Sequence, residues 1–586
     1  MSGESMGAVN TMSLSGGDIA SETLARYGTR TAFALAGAGH THLLDALDRK
    51  GFRIVSARHE TGAISAADGY ARVTGRIGIA LTITDQGLPN AITGLACAYH
   101  ACSPVVVLMA RLPDPWIEPE AEHDSLSLAL LRPVTKWCRT VPSAARLAEY
   151  IDVACRRALA GRPGPVVLQV PQEFFAQRFA ESAGALRPRP EIAVAHPDPA
   201  AIARAADLII AARRPLVITG AGATYGGAAT ALRATSEEFG LPVVGNSLGR
   251  GVVAEDWQRG FSWPLAQIAA HETDVVLVLG ARLKQRLGFG LPPRFSTSAS
   301  FIQVDVEAEE LARNRRIDVP IVSDAGHAAS ALLQELRRRR FAGALDPGWL
   351  RSALAPRLDY LDRIASEDRH PIHPLRLGRE LARRLPPDAI VVGDGADIQN
   401  WMYGAIRVQQ APGFLDHYPL GAMGVGTPLA VGAAAGAREI AGTTGAPERR
   451  VVLVTGDGSL GFHPAEIHAA ALAGLPLVTI VGNDGAWGTE LHGQRQAIGR
   501  DLNTALGPQR WDRLAEVFGC HGEHVADLAS LGPALDRALA ARTPSIVDVA
   551  IDPESGAALK TEPLARMIMF DDLVTSLSAQ SGPVQP

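Results

Sequence analysis

The sequence has little cysteine, and its cysteines are poorly arranged for cross-linking or for binding zinc. Their number is odd, they are spread along the chain, and no CxxC pair occurs. The five are Cys97, Cys102, Cys138, Cys155 and Cys520. This argues against a disulfide framework and a zinc site, and it fits the reducing cytoplasm, where we expect the protein to be found.

Long hydrophobic runs and a strong net charge are also missing. No stretch approaches the roughly 18 consecutive apolar residues typical of a membrane span. Residues 1–17 contain no apolar run of the kind found in a secretory signal. The net charge is −5 over 586 residues, which indicates neither nucleic acid nor an anionic membrane as a partner.

Apolar runs that resemble strands alternate with Ala/Leu/Arg-rich helical segments along the whole chain. Examples of such runs are residues 77–82, 105–109, 275–279, 390–392 and 451–454. Short apolar strands between longer helices are typical of parallel sheets with crossover helices. The sequence therefore predicts the α/β class.

Two proline-rich stretches, residues 186–199 and 367–374, have the character of linkers. They divide the chain into residues 1–185, 195–345 and 370–555, followed by a C-terminal tail, 556–586. Each of the three blocks carries several strand–helix repeats. We therefore predict three doubly wound parallel-sheet domains.

The strongest chemical signal lies at two turns that follow consecutive strands of the third block. Their residues are Gly456, Asp457, Gly458 and Ser459, and then Asp484, Ala486, Trp487 and Gly488. Glycine lets the backbone approach a phosphate, and a helix start adds N–H donors. Two parallel strand ends separated by one helix are neighbours, so the carboxylates of Asp457 and Asp484 can reach one Mg²⁺ ion.

These turns resemble the thiamine-diphosphate (ThDP) signature of the acetolactate synthase, benzaldehyde lyase and 2-hydroxyacyl-CoA lyase superfamily, and the resemblance covers nearly the whole chain. It implies a pyrimidine-binding first domain, a middle domain and a diphosphate-binding third domain. It also implies that the backbone carbonyl of Ala486 joins Asp457 and Asp484 around Mg²⁺. The family usually has Asn at the position of Asp484, and Asn483 would be the ligand if the turn were shifted by one residue.

Two further segments acquire roles from the same resemblance. Glu60, in Arg58-His59-Glu60, matches the carboxyl group that bonds the cofactor's aminopyrimidine ring and promotes loss of its C2 proton. Met423 matches the bulky residue that bends ThDP, and the carbonyl near Gly421 matches the group that holds the pyrimidine amino group. Without the resemblance, Glu60 would be a solvated helix start and Met423 a core residue.

The resemblance also implies an oligomer. In this family the carboxylate equivalent to Glu60 lies on one subunit, while the metal and the residue equivalent to Met423 lie on its partner. A homodimer is therefore the expected minimum, and a homotetramer is the alternative.

Substrate-facing positions are expected in three loops of the first block. His40 and His42 lie in a loop that resembles the first loop of acetolactate synthases, where they could move protons, although isolated histidines are more often surface or packing residues. Gln86, next to Asp85, departs from the usual loop pattern and is a candidate catalytic or specificity residue. Glu122 and His123 are further specificity candidates.

The middle block resembles that of 2-hydroxyacyl-CoA lyase and oxalyl-CoA decarboxylase at residues 274–283, 289–295 and 301–305. Such domains hold FAD or ADP in some members and nothing in others. Arg282, Asp305 and Asp324 stand where a nucleotide could lie, whereas the Gly220-Ala221-Gly222 turn is better explained as structural.

The function expected from these resemblances is that of a ThDP-dependent C–C bond lyase, carboligase or 2-oxo acid decarboxylase, similar to acetolactate synthase and acting through a thiazolium ylide on a small molecule. A 2-hydroxyacyl-CoA lyase or oxalyl-CoA decarboxylase is the first alternative, and a flavin-linked enzyme of the pyruvate oxidase type is the second. A non-catalytic nucleotide-binding homologue is a third. In the tail, residues 564–573 are expected to form an apolar helix that either covers the active site or docks on the surface.

Overall fold

The computed structural model describes residues 13–83, 86–117, 128–180, 191–341, 345–346 and 348–568. The chain forms two compact units, residues 1–71 with 76–192, and residues 72–75 with 193–586. All five cysteines are free. Within the described ranges, no helix is both long enough and apolar enough to cross a membrane.

The first unit is built on a six-stranded parallel sheet with the order β3-β2-β4-β5-β7-β6, and β1 and β8 form a separate, short antiparallel pair. Its strands are β1 (Ser13–Ser15), β2 (Thr31–Ala34), β3 (Arg53–Ser56), β4 (Gly78–Ile83), β5 (Val105–Arg111), β6 (Trp137–Thr140), β7 (Val166–Pro171) and β8 (Arg178–Ala180). Its helices are α1 (Gly16–Ala25), α2 (Thr41–Arg49), α3 (Glu60–Thr74), α4 (Gly87–Ala101), α5 (Leu147–Leu159) and α6 (Glu173–Ala176). The central strands are almost wholly apolar and buried, as expected of a parallel sheet covered on both faces.

The second unit contains two more sheets of six parallel strands. The middle sheet has the order β11-β10-β9-β12-β13-β14. Its strands are β9 (Pro215–Thr219), β10 (Val243–Gly245), β11 (Gly260–Ser262), β12 (Val275–Leu279), β13 (Ser300–Asp305) and β14 (Val319–Val322). Its helices are α7 (Pro199–Ala211), α8 (Ala221–Tyr225), α9 (Ala229–Phe239), α10 (Trp263–Ala266) and α11 (Ala325–Arg338), and α12 (Gly348–Ser366) leads to the third sheet.

The third sheet has the order β16-β15-β17-β18-β20-β19. Its strands are β15 (Ile390–Gly393), β16 (Phe414–Asp416), β17 (Val451–Gly456), β18 (Leu477–Asn483), β19 (His521–Val525) and β20 (Ser545–Ala550). Its helices are α13 (Pro374–Ala382), α14 (Asp397–Ala405), α15 (Gly426–Thr444), α16 (Asp457–Leu460), α17 (Glu466–Leu472), α18 (Gly488–Ile498), α19 (Trp511–Val517), α20 (Leu528–Ala540) and α21 (Ala557–Thr561). The predicted class, three doubly wound parallel-sheet domains, is confirmed.

The middle and third sheets share one apolar core, to which Trp263, Trp349 and Trp401 contribute. A buried ion pair stands at the same junction, with Arg250 Nη2 2.7 Å from Glu255 Oε2. The sheets span residues 215–322 and 390–550. The exact domain limits stay predictions, and residues 181–190 of the first linker region lie outside the described part of the chain.

The expectation of a helix over residues 564–573 was wrong for the residues that can be seen. Helix α21 ends at Thr561, and residues 562–568 run through a turn and a bend into the core. The Asn400 side chain explains this, because its Oδ1 accepts the backbone N–H groups of Met567 at 2.8 Å and Ile568 at 3.0 Å. Remote side chains also bond the carbonyls of this segment, Asn400 at Ala565 and Arg357 at Pro563 and Arg566, so tertiary rather than helical hydrogen bonds hold it. Residues 569–573 lie outside the described ranges.

Candidate active site

The two predicted turns lie at the carboxyl edge of the third sheet. β17 and β18 pair in parallel, with Gly456 opposite Gly482, so Asp457 and Asp484 follow directly after adjacent strand ends. One cavity at this edge is lined by nearly all the residues expected to contact cofactor. They are Met423, Gly456, Asp457, Gly458, Ser459, Asp484, Ala486, Trp487 and Gly488.

The carboxyl groups of Asp457 and Asp484 interact directly. Burial, with the neighbouring charge of Asp484, raises the pKa of Asp457 to about 8. Burial also raises the pKa of Asp484 above its ordinary value. Oδ2 of Asp457 is buried, and none of the residues that the structure describes makes a hydrogen bond with it. A hard divalent cation satisfies this arrangement, because it supplies the orphaned oxygen with a partner and neutralises both charges.

The alternative ligand, Asn483, is engaged elsewhere. Its Nδ2 donates to the carbonyl of Gln509 at 3.2 Å and to Oδ1 of Asp548 at 3.0 Å. Asp484 faces the cavity, and its Oδ1 accepts the N–H of Ala486 at 3.2 Å. The geometry therefore favours Asp484 over Asn483.

Two glycines make this packing feasible. A Cβ at Gly488 would lie 2.7 Å from Oδ2 of Asp484 and 2.8 Å from Oδ2 of Asp397. A Cβ at Gly458 would lie 2.5 Å from the ring of Trp487. Any larger residue at either position would push a cavity-lining side chain out of place.

Asp394 fixes the loop that carries Met423. It follows β15 and is fully buried, and its carboxylate accepts the backbone N–H groups of Gly395 at 2.7 Å, Gly424 at 2.9 Å and Gly426 at 2.8 Å. Burial raises its pKa. Three N–H donors on one carboxylate hold Met423 at the cavity, whereas Gly421 is exposed and does not line it.

Asp397 is a cavity residue that the sequence did not single out as functional. It begins α14, and its buried Oδ1 has no hydrogen-bond partner in the described part of the chain. Burial and the charge of Asp484 raise its pKa to about 7, against the opposing effect of Lys560. The sequence signals were its position just beyond a strand end and the resemblance of Gly395-Ala396-Asp397 to 2-hydroxyacyl-CoA lyase and oxalyl-CoA decarboxylase.

In the first unit, Glu60 is the first residue of α3 and is buried. Its Oε2 accepts a hydrogen bond from Nδ2 of Asn90 at 3.0 Å, and a Cβ at Gly87 would lie 3.2 Å from its Oε1. Helix α4 therefore positions this carboxyl group. Neither Asn90 nor Gly87 was predicted, because no local motif links α4 to Glu60.

The other candidates of the first unit differ in exposure. His40 is fully buried, and burial lowers its pKa to about 4, so its ring is neutral at pH 7. His42 and Gln86 are exposed. Asp85, Glu122 and His123 lie outside the described residues.

The proposed nucleotide positions of the middle sheet have structural partners. Asp324 caps α11 by accepting the N–H groups of Gly326 at 2.8 Å and His327 at 3.1 Å. Asp305 accepts the N–H of Glu307 at 2.9 Å, and Arg282 is partly buried. The Gly220–Gly222 turn closes against β12, since the N–H of Gly222 donates to the carbonyl of Gly280 at 3.0 Å.

Comparison with known families agrees with this architecture. Residues 14–128 match the thiamine pyrophosphate enzyme N-terminal TPP binding domain, residues 202–332 the central domain and residues 394–549 the C-terminal TPP binding domain. The fold and the site thus define a cofactor-dependent α/β enzyme. The chain belongs to the family of thiamine-diphosphate-dependent enzymes.

Its relatives carry out more than one reaction. The chain is 31% identical to the acetolactate synthase large subunit of Mycobacterium tuberculosis over 546 residues, which covers 92% of this chain and 96% of that protein. It is 29% identical to a 2-hydroxyacyl-CoA lyase of rice, with coverage of 93% and 97%. It is 26% identical to 2-hydroxyacyl-CoA lyase 1 of mouse, with coverage of 92% and 95%.

Proposed function

We propose that the protein uses ThDP and Mg²⁺ to make or break a carbon–carbon bond beside a carbonyl group, as a lyase, carboligase or 2-oxo acid decarboxylase of the acetolactate synthase kind. The observation that carries the proposal is the cavity in which nine of the expected cofactor residues meet around the orphaned Oδ2 of Asp457.

Asp457, Asp484 and the carbonyl of Ala486 would hold Mg²⁺, with the backbone of Gly456, Gly458 and Ser459 against the diphosphate. The two carboxylates contact each other, and both have raised pKa values, so a bound cation would stabilise their charged forms. This supports the assignment of Mg²⁺ to the pair. Trp487 and Gly488 would complete the wall of the cavity. Met423, on the loop that Asp394 fixes, would support the thiazolium side of ThDP.

When bound, ThDP supplies a nucleophilic carbon and an electron sink for C–C cleavage or decarboxylation. Glu60 would bond the pyrimidine ring and handle the proton that must leave before reaction, with Gly421 holding the amino group. Burial of Glu60 and its bond to Asn90 support a fixed orientation for this role. The partner subunit would supply Glu60 to each site, which makes a homodimer the minimum active form and a homotetramer the alternative.

His42, in the first turn of α2, and Gln86, just before α4, would contact substrate, and both are exposed. His40 is a weaker candidate for proton transfer. Its burial disfavours the charged imidazolium, so it would act mainly as a neutral hydrogen-bonding group.

The substrate class is tested with purified protein, ThDP and Mg²⁺ against pyruvate, benzoylformate, benzoin, oxalyl-CoA and a 2-hydroxyacyl-CoA. Carbon dioxide, aldehyde and ligated products are measured. Ligation or decarboxylation of free 2-oxo acids supports the acetolactate synthase kind. Cleavage of CoA thioesters alone would favour a 2-hydroxyacyl-CoA lyase or oxalyl-CoA decarboxylase, for which the rice and mouse relatives are the supporting observation.

A flavin-linked enzyme of the pyruvate oxidase type is distinguished by its colour. FAD in the middle domain would make the purified protein yellow, with absorbance that is lost on denaturation and extraction. ADP in the same place would be colourless, and it would appear in the extract by mass spectrometry. A colourless protein whose extract holds neither nucleotide argues that the middle domain is empty.

A further inference from the structure

A second cavity, of about 630 Å³, lies in the second unit at the opposite end of β15 from the cofactor cavity. Its wall includes Ala389, just before β15, whereas the cofactor cavity includes Gly395, just after it. The two cavities share no lining residue. A volume of this size is within the range of roughly 300–1,000 Å³ typical of small-molecule sites.

The wall of this cavity carries an excess of positive charge. Four arginines line it, and Asp362 is the one acidic residue among the lining residues. The four are Arg376, Arg379, Arg383 and Arg407. Arg376 and Arg383 also pair with Glu380, and Arg379 Nη2 lies 2.9 Å from Oδ1 of Asp362. Asp362 is 69% exposed, so it screens Arg379 only weakly.

Hydrogen bonds fix the backbone on both sides of Arg407, whereas its guanidinium group is not fixed in this way. The carbonyl of Ile406 accepts from Nη2 of Arg250 at 2.8 Å, and the N–H of Val408 donates to Oε2 of Glu255 at 2.9 Å. The buried Arg250–Glu255 pair thus fixes the chain on both sides of Arg407. Within the described residues, the Arg407 guanidinium makes no hydrogen bond or ion pair, and its charge stands 3.7 Å from the centre of the Trp257 ring.

The arginines oppose one another electrostatically. The guanidinium carbon of Arg379 lies 5.2 Å from the same Trp257 ring. Burial lowers the pKa of Arg379, the charge of Asp362 opposes this, and the nearby charges of Arg407 and Arg383 lower it further. Partial burial also lowers the pKa of Arg407, although the charges of Asp362, Asp256 and Glu255 raise it. An anion bound by Arg379 and Arg407 would offset the repulsion that Arg407 exerts on Arg379, and guanidinium forks match phosphate oxygens.

Most of the rest of the wall is apolar, and Ser366 and Gln409 are its uncharged polar residues. The larger apolar side chains are those of Leu385, Pro386, Pro387, Val391, Ile406 and Val408. A ligand that fills the cavity therefore needs an anionic group for the arginines and an uncharged body for this surface.

We propose that this cavity is a binding site for a small organic phosphate of about nucleotide size, separate from the cofactor site. Arg379 and Arg407 bind its phosphate group, and the Leu385–Pro387 side receives its apolar body.

The test is calorimetric titration of the full chain, first saturated with ThDP and Mg²⁺ so that the diphosphate site is filled. The probes are ADP, adenosine and inorganic phosphate. The variants are Arg407→Gln and Arg379→Gln. The control is Arg363→Gln, which removes an arginine that is 62% exposed on α12 and does not line the cavity.

We expect one saturable ADP site per chain, weakened about tenfold or more by Arg407→Gln and by Arg379→Gln and unchanged by Arg363→Gln. Retention of ThDP binding shows that each variant is folded. The proposal is overturned if no probe binds saturably up to about 10 mM, or if neither cavity variant alters ADP binding. If inorganic phosphate bound as tightly as ADP, the proposed role of the apolar surface would be refuted. If adenosine bound as tightly as ADP, the proposed role of the arginines would be refuted.

Discussion

At the scale of single residues, the unusual feature of the cofactor cavity is the carboxylate of Asp484, at a position where relatives are expected to have an amide. It brings a second buried negative charge against Asp457. Free of metal, the pair retains a proton at neutral pH, because both pKa values are raised. Metal binding must displace that proton.

The affinity for Mg²⁺ should therefore depend on pH. Below the raised pKa of Asp457, about 8, the protonated form dominates and competes with the metal. The affinity should fall as pH drops from 8 to 6, by up to about tenfold per pH unit for each proton displaced. Calorimetry in buffers of different ionisation enthalpy measures both the affinity and the protons released. An affinity that does not change over this range would contradict the assignment.

Asp484→Asn tests the effect of the Asp484 charge on Asp457, because the two side chains have nearly the same shape. Without that charge the pKa of Asp457 should fall towards its ordinary value, so the pH dependence of Mg²⁺ binding should become shallower. At pH 8 the variant should bind Mg²⁺ more weakly than the natural chain, because one anionic ligand is lost. The same calorimetric series checks both effects. Asn483→Ala, which leaves both carboxylates in place, should keep the steep pH dependence.

Glu60→Gln should reduce kcat by about 100-fold or more, because the amide cannot exchange the proton that Glu60 is proposed to handle. ThDP affinity should change little, since the diphosphate contacts are untouched. Steady-state kinetics and ThDP titration separate the two quantities. Glu22→Gln on α1 is the control, as its side chain is 42% exposed. Full activity of Glu60→Gln would remove Glu60 from the mechanism.

Local sequence identified residues whose roles follow from adjacent positions, such as Asp457 after an apolar strand. It did not identify Asp397 or Asn90. Asp397 reaches the cavity from a different strand end, and Asn90 reaches Glu60 from another helix. Such contacts depend on how remote elements pack, which no short motif encodes.

At the scale of elements, the Met423 loop depends on Asp394 rather than on its own sequence. Asp394→Asn replaces an acceptor oxygen with a donor, so at least one of the glycine N–H groups loses its partner. We expect this change to destabilise the protein by about 1–3 kcal/mol and to weaken ThDP binding. Thermal denaturation with and without ThDP measures both.

The control for this variant is Asp536→Asn on α20, a carboxylate that is 63% exposed. It should leave both the melting temperature and ThDP binding nearly unchanged. Equal effects of the two substitutions would show that Asp394 does not organise the loop.

Strands were the most predictable elements. The run at residues 275–279 coincides with β12, and the run at 105–109 lies within β5. Both strands are buried on both faces, so their apolar character is continuous and visible in the sequence. The expected tail helix does not form over residues 564–568, because Asn400 and Arg357, far away in sequence, bond the backbone of this segment.

At the scale of the whole molecule, the proposed sharing of each active site between subunits can be tested by mixing inactive variants. Glu60→Gln and Asp457→Asn homodimers should each be nearly inactive. After unfolding and refolding together, about a quarter of the sites should combine an intact Glu60 with an intact Asp457 if each site uses both chains.

Activity of the refolded mixture, compared with each variant refolded alone, measures this recovery. No recovery, with mixed dimers demonstrated by differently tagged chains, would mean that each site is built from one chain.

The number of sheets and their class were predictable from the alternation of strands and helices. Subunit arrangement was not, since nothing local to the sequence encodes it, and it stays a prediction together with the cytoplasmic location.

The docked segment at the end of the described chain also bears on the order of events during synthesis. Ala565 and Met567 are buried in the core shared by the middle and third sheets, and Gln267 donates to the carbonyl of Met567 at 2.6 Å. Arg357 reaches the carbonyls of Pro563 and Arg566, both at 2.9 Å. Until residues 563–568 leave the ribosome, Gln267, Arg357 and Asn400 lack these partners. The first unit can fold while translation continues, but the core of the second unit is completed only after residue 568 has emerged.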